Sequence, residues 1–222
     1  MMDPAYLRPG RYVESDAPEI VTFAREAAGD ATASDPIELA VRLYRACRDT
    51  VLYDPYQHYA RLDTYSARAT LLRGRGYCVA KAALLAACCR AQGIPARLGF
   101  ADVRNHLATP RLLELNGGDV FYYHAYADIW LDGKFVKATP AFNNSMCERF
   151  GVLPLEFDGR NDSIFHPYDR NDRRHMEYLT DRGTFADVPV DAILAAFREH
   201  CPRYLKEGAF GGKDFVEEAK RR

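Results

Sequence analysis

The sequence predicts an α+β fold in which one buried helix packs against an antiparallel sheet. Helical patterns fill roughly the first ninety residues, and strand-like runs follow between residues 96 and 138, an order typical of helices packed on an antiparallel sheet. Residues 79–92, VAKAALLAACCRAQ, are apolar on almost every side, as in a helix with no solvent-facing side. Asp132-Gly133 separates two strand-like runs, which predicts a hairpin.

Composition and charge exclude several classes of protein. The chain has 222 residues, of which 48% are apolar and 27% charged, and its net charge is −1. A nucleic-acid-binding protein carries a basic patch, so this nearly neutral charge argues against that class. No apolar run approaches the roughly 20 residues of a membrane span, and the first residues lack the apolar core of a signal peptide. We therefore expect a cytoplasmic protein with no nucleic-acid or membrane partner.

The six cysteines predict free thiols, because disulfides are rare in a reducing compartment. The chain contains no C-x-x-C pair and no H-x-x-x-H pair, the spacings that zinc sites favour. We predict neither a metal nor a cofactor.

The helices can be placed by their capping signals. Residues 1–34 form an N-terminal arm with a short helix near residues 18–28. Asp35 is suited to cap the next helix, with Pro36 in its first position and Glu38 completing a capping box. A further short helix is predicted over residues 63–72. The buried helix should end at Gly93, a residue suited to the left-handed conformation, before Pro95.

The predicted strands cover residues 96–103, 120–131 and 134–138, and a helix over residues 190–205 closes the chain. Residues 35–142 form the predicted core domain, and residues 143–222 form an extension packed on it. Beyond Pro140 the pattern predicts a long loop, in which residues 157–170 either form a lid or, as we favour, cover the sheet.

Cys78 stands where Gly74 and Gly76 give way to the buried helix. Unsatisfied N–H groups at a helix N-terminus favour a thiolate, so we expect a lowered pKa and a nucleophilic thiol. Cys88 and Cys89 lie about 15 Å further along the helix and belong to the core. His124 is the best-placed histidine to act with Cys78, since a strand would hold it rigidly.

These residues resemble the transglutaminase-like superfamily. Gly76-Tyr77-Cys78, the segment RAQGIPAR at residues 90–97, His124-Ala125-Tyr126 and LDGKF at residues 131–135 follow the family's order over residues 60–142. The resemblance implies a papain-like fold, with Cys78 as nucleophile and His124 as its catalytic partner. Tyr126 stands where the family has tryptophan.

The third catalytic residue departs from the family pattern, because Thr139 occupies the position of the usual aspartate. Asn143 is our candidate substitute, since Cys-His-Asn sites occur in papain-like proteases, and Asp158 is a second candidate. Asp128 shares a strand face with His124 by alternation, and we assign it a structural part in the sheet.

A Cys-His pair predicts acyl transfer through a thioester. We favour hydrolysis of an amide or peptide bond in a peptide, protein or small amide. The alternatives are a protein-glutamine acyltransferase, an arylamine acyltransferase, whose motif Arg75-Gly76-Tyr77-Cys78 matches only in part, and a binding module that has lost its activity.

Overall fold

The buried helix and the antiparallel sheet predicted from the sequence form the two layers of the computed structural model. The structure describes residues 2–31, 35–106, 108–164, 176–206, 208–209 and 215. The part of the predicted lid or cover that spans residues 165–170 lies outside these ranges.

Four helices build the first layer: α1 (Pro18–Ala28), α2 (Pro36–Thr50), α3 (Ala67–Arg73) and α4 (Cys78–Ala91). Asp35 caps α2 as predicted, accepting the Glu38 N–H at 3.1 Å. The single helix predicted over residues 63–72 is wrong: a 3-10 turn at Leu62–Tyr65 precedes α3. Ser66 separates the two because its Oγ accepts the Ala69 N–H and starts a new helix.

Helix α4 ends at the predicted glycine. Gly93 has a φ of 78°, its N–H donates to Arg90 O, and the Ile94 N–H donates to Cys89 O. These two bonds form a Schellman motif, which satisfies carbonyls that the helix leaves open. Since almost every side chain of α4 is buried, α4 is the centre of the fold.

The sheet contains β3 (Ala96–Asn105), β4 (Val120–Leu131), β5 (Lys134–Ala138) and β6 (Met176–Phe185) in the order β5-β4-β3-β6, and all neighbours are antiparallel. The predicted hairpin joins β4 to β5, with φ of 47° at Asp132 and 81° at Gly133. A short parallel pair, β1 (Leu52–Tyr53) and β2 (Arg75–Gly76), leads into α4.

Among the unpredicted elements are α5 (Pro110–Asn116), α6 (Asn144–Phe150), β6 and the short pair β1 and β2. Helix α7 (Val190–His200) is shorter than the predicted closing helix, because a 3-10 turn at Pro202–Leu205 follows Cys201. Proline has no N–H to continue the helical hydrogen bonds.

One hydrophobic cluster runs through all three predicted regions of the chain, from Val13 through Leu84 to Phe197. The boundaries after residues 34 and 142 stay predictions. Among the residues that the structure describes, no helix combines the length and apolarity that crossing a bilayer requires.

Candidate functional site

Cys78 is the first residue of α4, and the elements before it fix its position. Tyr77 precedes the helix in extended conformation and provides no side-chain cap. Its ring packs edge-on against Tyr59 and Tyr65, with centroids 4.9 and 6.1 Å apart. Gly76 must lack a side chain, because a Cβ there would lie 2.7 Å from Thr70 Cγ2. The cysteine is therefore held at an open helix N-terminus.

His124 lies on β4 and is 6% exposed. Its ring lies edge-on to Tyr178, with the centroids 6.4 Å apart. The next residue, Ala125, packs in the core, and its backbone N–H favours the ionised form of the Cys78 thiol. The strand that carries His124 therefore also influences the chemistry of the thiol.

Cys78 and His124 line the same cleft, which encloses about 600 Å³ of empty space up to its open mouth. Aromatic rings form most of its walls, among them Tyr53, Tyr59, Tyr77, Phe121, Tyr122 and Phe142. The described lining includes Asn105 and Asn116 but no Asp, Glu, Lys or Arg. The structure thus joins two residues that are 46 positions apart in a neutral, largely apolar environment.

The thiol does not have the lowered pKa that we expected from its place at a helix end. Burial raises the pKa of Cys78 to about 11, although the backbone N–H groups of Ala125, Val79 and Cys78 act in the opposite direction. Desolvation of the charged form outweighs these amides. At neutral pH the thiol consequently needs a proton acceptor, and His124 is the imidazole of this cleft.

Comparison with known protein families gives the family of this chain. The sequence profile of the transglutaminase-like superfamily matches residues 22–140, more than half of the chain. The chain belongs to the transglutaminase-like superfamily. No curated protein matches this sequence.

One similar solved structure is that of a candidate cysteine protease from Cytophaga hutchinsonii. It is 21% identical over 85% of this chain, with a TM-score of 0.47. The transglutaminase-like chain spans 48% of the length of that protein.

The third catalytic residue stays a prediction for this transglutaminase-like protein. The Asn143 side chain is engaged outside the cleft: its Oδ1 accepts the Tyr53 N–H at 2.9 Å, and its Nδ2 donates to Ser145 Oγ at 2.8 Å. Thr139, at the family's aspartate position, is buried, and its Oγ1 has no hydrogen-bond partner among the described residues. Neither residue is among the described residues that line the cleft.

Asp158, the second candidate, and Asp128, which we assigned a structural part, also have partners of their own. Asp158 lies on the surface and accepts the N–H groups of Arg160 and Asn161, which lower its pKa to about 2. Asp128 forms an ion pair with Arg97 on the sheet, with 2.8 Å between Oδ2 and Nε, as expected for a structural role. Burial raises the pKa of the Asp128 carboxyl.

Asn116 is a cleft residue that the sequence analysis did not identify. It ends α5, and its Nδ2 donates to Gly118 O at 2.8 Å and to Val120 O at 2.7 Å. The following Gly117-Gly118 could have indicated a turn here, but nothing in the local pattern indicates that the turn borders Cys78.

Proposed function

We propose that this transglutaminase-like protein is a thiol acyl-transfer enzyme that hydrolyses an amide or peptide bond. The observation that carries the proposal is that Cys78 and His124 line one cleft, where the Ala125 N–H favours the thiolate. Nucleophilic catalysis by a thiol requires an imidazole that can reach it, and the shared cleft supports that role for His124.

In the proposed reaction His124 accepts the thiol proton as Cys78 Sγ attacks the substrate carbonyl. The C–N bond then breaks, the proton passes from His124 to the leaving amine, and a thioester remains on Cys78. Water attacks that thioester and His124 takes a proton from the water. The C–S bond then breaks to release the acid, and the proton returns from His124 to Cys78 Sγ to restore the thiol. Open N–H groups at the start of α4 can stabilise the negative oxygen in both steps.

The cleft walls support a neutral acyl donor. With no ionisable Asp, Glu, Lys or Arg on the described lining, a charged substrate group would lose its water without gaining a partner. Phenylacetyl and succinyl p-nitrophenyl esters are therefore a suitable pair of probes, since one is neutral and aromatic and the other is charged.

The experiment is intact-mass detection of the acyl-enzyme after rapid mixing with each probe. We expect the phenylacetyl adduct on the wild type, no adduct on Cys78→Ala, and at least a tenfold slower adduct on His124→Gln. Cys201→Ser is the matched control, since Cys201 is a buried thiol outside the described cleft lining, and it should react like the wild type.

The second candidate function is a binding module that has lost its activity. Thr139 in place of the acid and the raised pKa of Cys78 favour it. Absence of any Cys78 adduct from the wild type would establish this reading against ours. Faster release of the acyl group by added amines than by water would instead indicate an acyltransferase, of the protein-glutamine or the arylamine type.

A further inference from the structure

The Asn116 side chain holds an unused acceptor on the cleft. The residue is 3% exposed and lines the cleft together with Cys78 and His124. Its Oδ1 is buried and has no hydrogen-bond partner among the residues that the structure describes. Buried polar atoms are almost always hydrogen-bonded, and leaving one unpaired costs about 1–3 kcal/mol.

The orientation of this amide is fixed by its other end. Nδ2 donates to two backbone carbonyls, Gly118 O and Val120 O. Exchanging the two amide atoms would place an oxygen against both carbonyls, so the assignment of Oδ1 follows from the hydrogen-bond network. A fixed acceptor among aromatic rings selects for a ligand that brings a hydrogen-bond donor, and the N–H of an amide is such a donor.

We propose that Asn116 Oδ1 accepts an amide N–H of the substrate, so that the cleft takes an acylamino substrate of peptide type with an apolar side chain. This inference rests on the proposed function and narrows its substrate class. The aromatic walls contact the apolar side chain of the substrate. Asn116 accepts the substrate N–H, which would otherwise give up its hydrogen bond to water without gaining a partner in the apolar site. Substrate analogues that lack this N–H should react much more slowly, because they leave the buried Asn116 Oδ1 unpaired.

The test compares two esters with the same leaving group: N-acetyl-phenylalanine p-nitrophenyl ester and its N-methyl analogue, which lacks the N–H. We expect wild-type kcat/KM for acylation of Cys78 to be at least tenfold higher for the first ester. In Asn116→Leu that ratio should fall to about one.

Equal rates with both esters on the wild type would overturn the Asn116 assignment and leave the proposed function standing. No acylation by either ester would contradict the proposed function itself. The wild-type comparison decides the assignment even where Asn116→Leu does not fold.

A different observation concerns the sheet beside His124, where two strands carry an extra residue at the same level. Ala101 and Val103 of β3 pair with His124 and Phe121 of β4. Between these two pairs β3 advances by two residues and β4 by three. On the other side of β3, Phe100 pairs with Gly183 and Ala101 with Asp181, which leaves Arg182 as an extra residue of β6, and Leu179 is a second one between the partners of Asp102 and Val103. Both strands therefore bulge around Asp102.

The Asp102 carboxylate joins the two bulges. Its Oδ1 accepts the Tyr123 N–H at 3.2 Å, and its two oxygens accept Arg182 Nε at 3.0 and 2.9 Å, with Nη2 at 2.6 Å from Oδ2. Asp102 is 4% exposed, and the Arg182 guanidinium lies 5.3 Å from the centre of the Tyr123 ring.

Tyr123 holds a strained conformation, with a φ of 56°. A bulky residue in this region costs about 1–3 kcal/mol and persists only where its surroundings hold it. The consequence is visible on the next residue: simple alternation would place residues 121 and 124 on opposite faces, yet Phe121, Tyr122 and His124 all line the cleft. The bulge turns His124 toward Cys78.

We infer that Asp102, paired with Arg182, is a positioning residue of the proposed acyl-transfer site. It holds the Tyr123 backbone in the left-handed conformation and so fixes where the imidazole lies. The family aspartate orients the histidine side chain, whereas Asp102 acts through the main chain.

The test measures the alkylation rate of Cys78 at pH 7 by iodoacetamide. Asp102→Ala should lower this rate at least tenfold, and adding Tyr123→Gly should restore it to within threefold, since glycine adopts positive φ without strain. Asp128→Ala is the matched control, because Asp128 is also a buried partner of an arginine on this sheet, and its rate should stay within twofold of the wild type.

The inference fails where Asp102→Ala reacts like the wild type, or where Asp128→Ala slows alkylation equally. It fails also where Tyr123→Gly gives no recovery. Alkylation needs no substrate, so these outcomes are independent of whether the wild type forms an acyl-enzyme.

Discussion

At the scale of single residues, burial decides the chemistry of the ionisable groups. The position of Cys78 at a helix N-terminus was predictable from two glycines and an apolar run. The solvent exposure of the Cys78 thiol was not predictable, because Tyr53, Phe142 and Val103 line the same cleft and come from distant parts of the chain. At an open surface the same motif would lower the pKa of the cysteine, whereas in this cleft burial raises it.

Lys81, one turn after Cys78, is fully buried and supports a testable pH dependence. Its Nζ donates to the carbonyls of Arg48, at 2.8 Å, and Val51 at the end of α2. Desolvation lowers its pKa from 10.5 to about 7. Between these values the unfolded chain binds more protons than the folded protein, so Lys81 makes the free energy of unfolding rise with pH. Below pH 7 it is charged in both states and adds no slope.

We therefore expect the difference in unfolding free energy between the wild type and Lys81→Met to rise by at most about 1.4 kcal/mol per pH unit from pH 7.5 to 9.5. Urea unfolding at several pH values measures this difference. The contributions of the cysteines are the same in both proteins and therefore cancel in the difference. The exposed Lys134 provides the control, and Lys134→Met should give a curve parallel to the wild type. A parallel curve for Lys81→Met would contradict the assignment.

At the scale of elements, prediction succeeded where a local signal was strong. Asp35 caps α2, Gly93 ends α4, and the Asp132-Gly133 turn joins β4 to β5 over the predicted residues. Each of these depends on side-chain chemistry within a few positions. The overall α+β order followed from them.

The missed elements show no periodic pattern of their own, although Thr109, Pro110 and Gly117 are capping signals for α5. Helices α5 and α6 have seven residues each, too few to show a helical period. Strand β6 is mostly exposed or half-buried and contains Thr180-Asp181-Arg182-Gly183, so hydrogen bonding to β3 defines it more than its own composition does. The bulge at Tyr123 also depends on Asp102, 21 positions away.

At the scale of the whole molecule, the cleft is assembled from segments far apart in the sequence. Cys78 comes from α4, His124 from β4, Asn116 from α5, and Phe197 and Tyr204 from the C-terminal region. The sequence therefore predicted the pair to which we assign the proposed chemistry but did not predict most of the residues around it. These walls explain the raised pKa of the thiol and are the basis of the proposed preference for a neutral acyl group.

The most direct test of the Cys78–His124 pair is the rate of Cys78 alkylation by iodoacetamide from pH 5 to 10, resolved by mass spectrometry in the wild type and in His124→Gln. A thiol with a pKa of about 11 is ionised in roughly one molecule in ten thousand at pH 7. We predict that the wild type reacts at least tenfold faster than the variant at pH 7, with a limb below pH 8 that the variant lacks. Superimposable profiles that rise only toward pH 11 would contradict the proposed proton transfer from Cys78 to His124.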